Sequence, residues 1–260
     1  MEGRRPEAYG DAFADVYDEW YADVTDVLAT VAFLADRARR TAPLPVLELG
    51  VGTGRLALPL SSALALDDVA VRGLDASAAM LDRLRAKPGA AAIEVVVADM
   101  AEVADSVAAG WPGHDVHGLV FVAFNTLFNL TSVAGQQRCL DGVARVLAPE
   151  GRLVVEAVVP ATDPERRDVV TVRSMTAERV VLSVSRADPD EQRLEGQFVE
   201  LADGRPVRLR PWSLRYAPPD ELDGLAAGVG LVLEERWGGW RGEPFTDTSD
   251  LHVSVYRPAP

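Results

Sequence analysis

The sequence contains very little cysteine and very little lysine, and both scarcities limit what the protein can be. Cys139 is the single cysteine in 260 residues, so the chain cannot form an internal disulfide bond. One thiol is typical of a reducing compartment, and the residues after Met1 include no apolar signal segment, so we expect a cytoplasmic protein. Lys87 is the single lysine among 26 lysine and arginine residues, a bias that a GC-rich genome explains.

Positive charge is also scarce relative to negative charge. The 40 aspartate and glutamate residues outnumber the 26 lysine and arginine residues, which gives a formal net charge of −14. A protein that follows a nucleic-acid backbone gathers cations on one face, and an anionic membrane surface attracts polybasic segments. Neither pattern occurs in this sequence, so we expect neither nucleic acid nor a membrane as a partner.

Long hydrophobic runs and metal-ligand clusters are absent as well. The longest apolar stretch, 119–130, is interrupted by Asn125 and Asn129 and is too short to span a bilayer. His114 and His117 lie in a loop bounded by proline and glycine, and no third or fourth ligand accompanies them. The sequence therefore predicts no transmembrane helix and no metal site.

The sequence does contain a regular alternation of short apolar runs and helical patterns over 41–160. The runs are 46–49, 69–74, 93–98, 119–124 and 153–159. Runs separated by helices are typical of βαβ units and of a parallel sheet covered on both faces. Two further runs, at 231–235 and 252–256, follow a predicted helix at 218–228 and complete the sheet. The predicted fold class is α/β, with a Rossmann-like, mostly parallel sheet of seven strands.

Between these two parts the pattern changes to alternating apolar and polar residues. Four such segments occur, with turn residues between them, at 169–175, 179–185, 193–201 and 206–216. They predict an antiparallel β meander inserted after the fifth strand, over 161–217. We expect it to serve as a cap over the acceptor or as a dimerisation surface, because a homodimer would cover its edge strands. Residues 218–260 then complete the core.

The N-terminal segment, 1–40, has helical periodicity from residue 7 onwards. Four aromatic side chains recur at every fourth residue on one face: Tyr9, Phe13, Tyr17 and Tyr21. A second helical stretch follows, with its apolar positions at Val27, Leu28, Val31 and Leu34. An ordinary helix core and a helical lid over a ligand explain the aromatic stripe about equally well, and both interpretations stay open here.

The turn after the first strand is the most informative segment about function. Gly50, Gly52 and Gly54 let the chain turn sharply and bring bare backbone against a ligand at a helix N-terminus. A dinucleotide fingerprint would place its third glycine at position 55, where this sequence has Arg55. The Glu48 carboxylate would repel a pyrophosphate but attract an ammonium group. A nucleoside with an amino-acid tail instead of phosphates fits both features, which predicts S-adenosylmethionine.

Acidic residues at the ends of the next two strands support the same ligand. Asp75 ends the second strand, where a carboxylate can accept both ribose hydroxyls, and Met80 follows within a turn to lie on an adenine face. Asp99 ends the third strand, where its carboxylate can take the adenine amino group. The cofactor-binding residues expected from these patterns are Glu48, Gly50, Gly52, Thr53, Gly54, Asp75, Ala76, Met80, Asp99 and Met100.

These segments together resemble the class I S-adenosylmethionine-dependent methyltransferases. The matching segments are 46–55, 74–80, 98–100 and 147–151. The opening segment 9–18 and the β insertion are similar to the small-molecule branch, whose best-known members are the amino-sugar N,N-dimethyltransferases of antibiotic biosynthesis. The resemblance implies that the N-terminal helix is a lid over the cofactor and that Tyr17 reaches the methionine end of S-adenosylmethionine.

The sequence departs from that branch after the fourth strand. Sugar N-methyltransferases that resemble this chain have a histidine base there, and an alignment by eye places Asn129 at that position. Asparagine cannot accept a proton, so the resemblance supplies no base. The Asn/Asp-Pro-Pro-aromatic motif of nucleic-acid amino-methyltransferases is also absent, which agrees with the charge argument.

The predicted reaction is methyl transfer to the N, O or C atom of a small-molecule acceptor in specialised metabolism. A sulfonium already has its leaving group, so alignment in a dry pocket supplies most of the acceleration and a strong base is optional. The residues expected in catalytic, acceptor-facing positions are Tyr9, Asn125, Asn129 and Glu156, and those expected to line the acceptor pocket are Trp212, Trp237 and Trp240. A structural role explains Glu156, and packing at the sheet edge explains Trp237 and Trp240, about equally well.

Two other functions remain open at the level of sequence. The chain can be a protein that binds S-adenosylmethionine without transferring a methyl group, either as a binding subunit or as an enzyme with different chemistry. It can also be a nicotinamide-dependent oxidoreductase, which Arg55 in place of a glycine disfavours.

Overall fold

The computed structural model describes residues 5–22, 24, 26–160 and 167–260. Its main sheet has seven strands in the order β10-β11-β5-β4-β1-β2-β3. The strands are β1 (Val46–Leu49), β2 (Val71–Asp75), β3 (Ile93–Val97), β4 (His117–Val122), β5 (Leu147–Val158), β10 (Leu231–Trp237) and β11 (Leu251–Pro258). Strand β11 runs antiparallel to β10 and β5 on its two sides, and the other six strands all run in one direction. The predicted α/β, Rossmann-like sheet is confirmed.

Helices cover both faces of this sheet and bury a separate apolar layer on each. On one face lie α3 (Val27–Arg39), α4 (Ala57–Ala63) and α5 (Ala78–Arg85), and on the other α6 (Val103–Gly110), α7 (Val133–Val146) and α8 (Pro219–Ala227). Strand β1 shows how one strand serves both layers: Val46 packs in the first, whereas Leu47 and Leu49 pack in the second. All four β1 residues are buried, as expected for a central parallel strand.

The inserted meander forms a second sheet of four antiparallel strands. These are β6 (Arg167–Met175), β7 (Arg179–Asp188), β8 (Arg193–Ala202) and β9 (Arg208–Arg215), paired in that order. The predicted meander is therefore present within the chain region where it was expected. The start of the predicted insertion, 161–166, and the first four residues of the predicted lid, 1–4, lie outside the described residues.

The aromatic part of the N-terminal segment does not form one continuous helix, as its periodicity suggested, whereas the second helical stretch is present as α3. The aromatic part forms two short helices, α1 (Ala8–Phe13) and α2 (Tyr17–Trp20), before α3 begins. The break at 14–16 allows the aromatic stripe to divide: Phe13 packs edge-on against Phe198 of the second sheet, whereas Tyr17 turns towards the main sheet. Tertiary packing on both sides of the segment thus overrides the helical period.

The segment 8–20 lies between the two sheets and joins them. Its apolar residues form a cluster with Met80 from α5 and with Val181 and Phe198 from the second sheet. No helix within the described ranges combines the length and apolar composition needed to cross a bilayer.

Candidate active site

A cavity opens at the carboxyl ends of β1, β2 and β3, beneath α1 and α2. This edge of an open α/β sheet is where such folds bind ligands. The predicted cofactor-binding residues that line the cavity are Tyr17, Gly50, Gly52, Asp75, Ala76, Met80, Asp99 and Met100. Glu48, Thr53 and Gly54 do not line it.

The glycine loop requires glycine for two different reasons. Gly50 has φ +69°, and a Cβ atom there would lie 2.4 Å from Cγ2 of Thr126, which follows β4. Gly52 has φ +56° and donates its backbone N–H to Oδ2 of Asp75 at 2.9 Å. Both glycines permit a positive φ, and the absence of a Cβ atom at Gly50 also permits close packing of two loops. The N–H at position 52 ties the loop to the end of β2, as that of any residue except proline would.

The two carboxylates at the strand ends are fixed by backbone N–H groups. Oδ1 of Asp75 accepts the N–H of Ser77 at 2.8 Å, and Oδ1 of Asp99 accepts the N–H of Ala101 at 2.9 Å. Burial raises the pKa of Asp75 above its ordinary value, although the N–H groups of Ser77 and Gly52 oppose that shift. Both side chains keep acceptor capacity towards the cavity, because each carboxylate oxygen has two lone pairs.

Glu48 and Arg55 form an electrostatic pair with unused hydrogen-bonding capacity. Glu48 is 5% exposed, and its Oε2 has no hydrogen-bond partner within the described structure. Burial raises the pKa of Glu48 to about 8, against the opposing influence of Arg55. Nε and Nη1 of Arg55 are likewise buried without partners. Burial also raises the pKa of Tyr17 to about 12. A ligand with both an ammonium and a carboxylate group would satisfy the unpaired oxygen of Glu48 and the unpaired nitrogens of Arg55.

The N-terminal segment is fixed over the cavity by its acidic residues. Oδ1 of Asp11 accepts the Ser77 hydroxyl at 2.7 Å, and Oδ1 of Asp18 accepts the Thr53 hydroxyl at 2.6 Å. On the opposite side, the Asp15 carboxylate pairs with Arg210 of β9. The three acids therefore bond the segment to the glycine loop and the start of α5 on one side and to β9 on the other.

A second cavity, of about 210 Å³, adjoins the first. Tyr9, Tyr17, Thr126 and Asn129 line both cavities. The remaining lining residues of the second are Tyr21, Phe124, Asn125, Phe198, Trp212 and Leu214. Of the residues expected to face an acceptor, the structure therefore brings Tyr9, Asn125, Asn129 and Trp212 together at one cavity. Their roles in catalysis stay a prediction.

Glu156 is placed differently, because its carboxylate is bonded to the turn after β4. Its Oε2 accepts the backbone N–H of Phe124 at 2.6 Å, while Asn125 Oδ1 accepts the N–H of Val158 at 2.6 Å. Phe124 and Asn125 both have positive φ, 54° and 61°. These bonds hold two successive strained residues and so aim the Phe124 ring at the second cavity. Glu156 does not line that cavity.

Trp237 and Trp240 lie away from both cavities. The Trp240 ring packs edge-on against Phe33 of α3, with ring centroids 5.3 Å apart. The indole N–H of Trp237 donates to Glu235 at 3.0 Å. The structure thus groups these tryptophans with α3 and β10 and does not bring them to the residues around Trp212.

Several cavity residues were missed from the sequence. Phe124 directly precedes Asn125, so its position at the end of a predicted strand was an available signal. Phe198 and Leu214 come from the meander, and no local pattern distinguishes them from its other apolar residues. Arg55 was considered only as the residue that breaks a dinucleotide fingerprint, although its place in the loop puts it beside Glu48.

A larger depression, of about 800 Å³, lies at the opposite edge of the main sheet. It is lined by residues that precede the strands, including Pro45, Ala70 and Val116. This edge does not contain the carboxyl ends of the parallel strands, where ligands bind in open α/β sheets. The chemistry described above is therefore assigned to the pair of smaller cavities.

The strand order, the glycine loop and the acids at three strand ends define a methyltransferase fold that binds S-adenosylmethionine. Residues 46–151 match the sequence model of a methyltransferase domain family. The CcbJ methyltransferase from Streptomyces caelestis is 37% identical, with 99% of this chain and 100% of that chain covered and a TM-score of 0.87. The chain therefore belongs to the S-adenosylmethionine-dependent methyltransferases, and its cofactor is S-adenosylmethionine.

More distant structures share the same fold. The sugar N-methyltransferase KedS8 from Streptoalloteichus is 23% identical, with 99% of each chain covered and a TM-score of 0.67. An S-adenosylmethionine-dependent methyltransferase from Clostridium acetobutylicum is 11% identical, with 96% of this chain and 99% of that chain covered and a TM-score of 0.75. No curated protein matches the sequence significantly.

Proposed function

We propose that this enzyme methylates an amine nitrogen of a small molecule held in the second cavity. The observation that carries the proposal is that this aromatic cavity, of about 210 Å³, shares Tyr9 and Tyr17 with the cofactor cavity. An acceptor bound there lies next to the cofactor without further rearrangement of the two walls. The volume suits a small molecule or one residue of a larger one, and not a folded macromolecule.

The walls of the cavity favour an amine over a hydroxyl acceptor. Six aromatic side chains contribute to them: Tyr9, Tyr17, Tyr21, Phe124, Phe198 and Trp212. An arginine guanidinium already lies over Phe124, Tyr21 and Phe198. The faces of Tyr9, Tyr17 and Trp212 are left to attract a cationic ammonium group, which must release its proton to solvent before it attacks the methyl group. Burial raises the pKa of both Tyr9 and Tyr17, so these phenols stay protonated and are poor bases. An alcohol would need a base to become nucleophilic, whereas a neutral amine does not.

The residues present fit S-adenosylmethionine as the methyl donor. When bound, it supplies a methyl group already attached to a positively charged sulfur. We propose that Asp75 holds the ribose hydroxyls, that Asp99 and Met100 contact the base, and that Glu48 and Arg55 neutralise the amino-acid end. The unpaired Oε2 of Glu48 and the unpaired nitrogens of Arg55 support that last assignment. The lid residues Tyr9 and Tyr17 exclude water from the boundary between the two cavities.

The acceptor class is tested with matched pairs of small amines and alcohols of the same carbon skeleton. Incubation with S-adenosylmethionine, followed by mass spectrometry, should show addition of one methyl group to amines and none to the paired alcohols. Phe198→Leu should raise the KM for an accepted amine, because it removes one aromatic wall of the cavity. Phe33→Leu is the matched control, because that ring packs against Trp240 instead. Methylation of the alcohols alone would contradict the proposal.

We further propose that the enzyme is a homodimer through the outer face of the second sheet. The register places Val172, Leu182, Val199 and Leu209 in one row across its four strands, on the face opposite Phe198. Exposed apolar side chains on that face are Val170, Val172, Met175, Val184, Leu201 and Leu209. An apolar patch of this size marks an interaction surface.

A second copy is the occupant that this face fits best. Four strands of about eight residues have a projected area of about 500 Å². This face consists of apolar rows and of one charged row, Asp168, Arg186 and Glu195, at one end. It would supply most of one side of a standard interface, which buries about 800 Å² per partner including its polar rim. Sedimentation equilibrium should give the dimer mass for the wild type and the monomer mass for Val172→Asp/Leu209→Asp. Leu66→Asp is the control, since Leu66 is fully exposed elsewhere. A monomeric wild type would overturn this assignment.

A further inference from the structure

Lys87 is the single lysine of a chain whose other 25 cationic side chains are arginines, and its place in the fold is specific. It lies just after the C-terminal end of α5, where its backbone N–H donates to the carbonyl of Leu84. Its side chain extends to the region where α2 meets the glycine loop. Neither of the two site cavities is lined by Lys87.

The Lys87 ammonium joins three parts of the structure at one point. Nζ donates to Oδ1 of Asp18 at 2.8 Å and to the backbone carbonyl of Thr53 at 2.8 Å. The Thr53 hydroxyl donates to the same Asp18 oxygen at 2.6 Å. Asp18 belongs to α2 and Thr53 to the glycine loop, so the lid, the loop and the end of α5 are bonded together.

The charge state of Asp18 agrees with this arrangement. Burial alone raises the pKa of this carboxyl, but hydrogen bonds from Lys87 and Thr53 outweigh it and leave the pKa below its ordinary value. Asp18 is therefore an ionised acceptor at neutral pH. It also directly follows Tyr17, which lines both cavities, so an anchor on Asp18 restricts the backbone that positions Tyr17.

The bonds of Lys87 depend on a cation that reaches two segments at once. The two acceptors are one carboxylate oxygen and one backbone carbonyl on different segments, and the ammonium reaches both. Arginines make comparable contacts elsewhere in the described chain: Arg72 joins the Glu94 carboxylate to the backbone carbonyl of His114. The positive charge and the reach of the side chain are therefore what this position requires.

We propose that Lys87 is a positioning residue, whose ammonium holds α2 and Tyr17 against the glycine loop and so retains the bound cofactor. This rests on the cofactor site proposed above, and it concerns the lid and not the contacts to the cofactor. Because the side chains of Lys87 and Asp18 are 28% and 50% exposed, the pair contributes little to global stability. The pair instead stabilises the position of α2 and Tyr17 over the bound cofactor.

The test compares Lys87→Met with Arg85→Met in the full-length protein. Arg85 lies on the same helix and pairs with Asp82 at 3.1 Å, away from the lid, so it is a matched control. Titration with S-adenosylhomocysteine should give a Kd raised about threefold to tenfold in Lys87→Met and unchanged in Arg85→Met. Hydrogen exchange should increase at 17–21 in Lys87→Met, while the Tm stays within about 2 °C of wild type.

Two further variants define the mechanism. Asp18→Asn should weaken binding to the same extent, and the double variant with Lys87→Met should be no weaker than either single one, because both remove one interaction. Lys87→Arg keeps the positive charge and should therefore retain more of the wild-type affinity than Lys87→Met. A wild-type Kd in Lys87→Met, or a loss of affinity in Lys87→Arg as large as in Lys87→Met, would overturn the proposal. A wild type that does not bind S-adenosylhomocysteine would instead contradict the proposed cofactor site.

Discussion

Replacing Glu48 by glutamine tests whether this buried carboxylate receives the ammonium group of the cofactor. The substitution keeps the shape of the side chain and removes its charge. Burial raises the pKa of Glu48 to about 8 in the protein without cofactor. At pH 7 only about a tenth of the molecules then have an ionised Glu48, and binding of a cation must drive deprotonation of the remainder.

The pH dependence of binding follows from that pKa. When a bound cation lowers the pKa of Glu48, affinity rises with pH up to about 8 and is constant above it. Between pH 6 and pH 7 the ionised fraction grows about ninefold, so the Kd of S-adenosylhomocysteine should fall by about the same factor. In Glu48→Gln this dependence should disappear. At pH 8 the variant should bind about tenfold to hundredfold more weakly, the loss expected for one hydrogen bond to a charged group.

Isothermal titration calorimetry measures both quantities directly. In the wild type, titrations in buffers of different ionisation enthalpy should also report release of nearly one proton at pH 6.5. The ligand 5′-methylthioadenosine lacks the amino-acid end, so its affinity should be the same in wild type and Glu48→Gln. Glu94→Gln is the matched protein control, because Glu94 is a half-exposed strand carboxylate paired with Arg72. A wild-type Kd that does not change between pH 6 and 7 would refute the reasoning.

Two further predictions concern stability. Gly50→Ala combines a φ of +69° with a Cβ atom 2.4 Å from Thr126, so it should lower the Tm by about 3–10 °C and weaken cofactor binding. Gly204→Ala, with φ +65° and open space around it, should cost less, and equal losses by thermal denaturation would contradict the steric argument. Burial lowers the pKa of His252 to about 4, below its unfolded value of 6.5. Its contribution is therefore present above pH 6.5 and lost as pH falls towards 4, so His252→Gln should flatten the Tm decrease in that interval; an unchanged slope would count against this assignment.

Local patterns were sufficient for the core of the fold and for most of the cofactor wall. The strand β1, the glycine loop and the acids Asp75 and Asp99 follow one another within short segments, and the topology of parallel strands brings their ends together. Their placement needs no knowledge of distant contacts. The same holds for the meander, whose period-2 alternation is a property of each strand by itself.

Local sequence patterns could not decide between two structural explanations of the same residues. The aromatic stripe from Tyr9 to Tyr21 has helical spacing, yet the segment breaks after Phe13. Phe13 packs against the second sheet, whereas Tyr17 lines the cofactor cavity together with the glycine loop. Glu156 was equally consistent with an acceptor contact and with a structural bond. Its bond to the N–H of Phe124 depends on a turn with positive φ that no sequence pattern announces.

The sequence by itself determined the class of cofactor, because a glycine loop flanked by Glu48 and followed by strand-end acids is a local arrangement. Only the tertiary structure decided where the acceptor cavity lies, since its walls come from the N-terminal segment, the turn after β4 and the second sheet. The single cysteine and the single lysine of the sequence show the same division. Cys139 is buried in α7 without a further role in the described structure, whereas Lys87 joins three segments that are distant in sequence. The bonds of Lys87 form only in the folded chain, because Asp18 and Thr53 lie 69 and 34 residues away along the sequence.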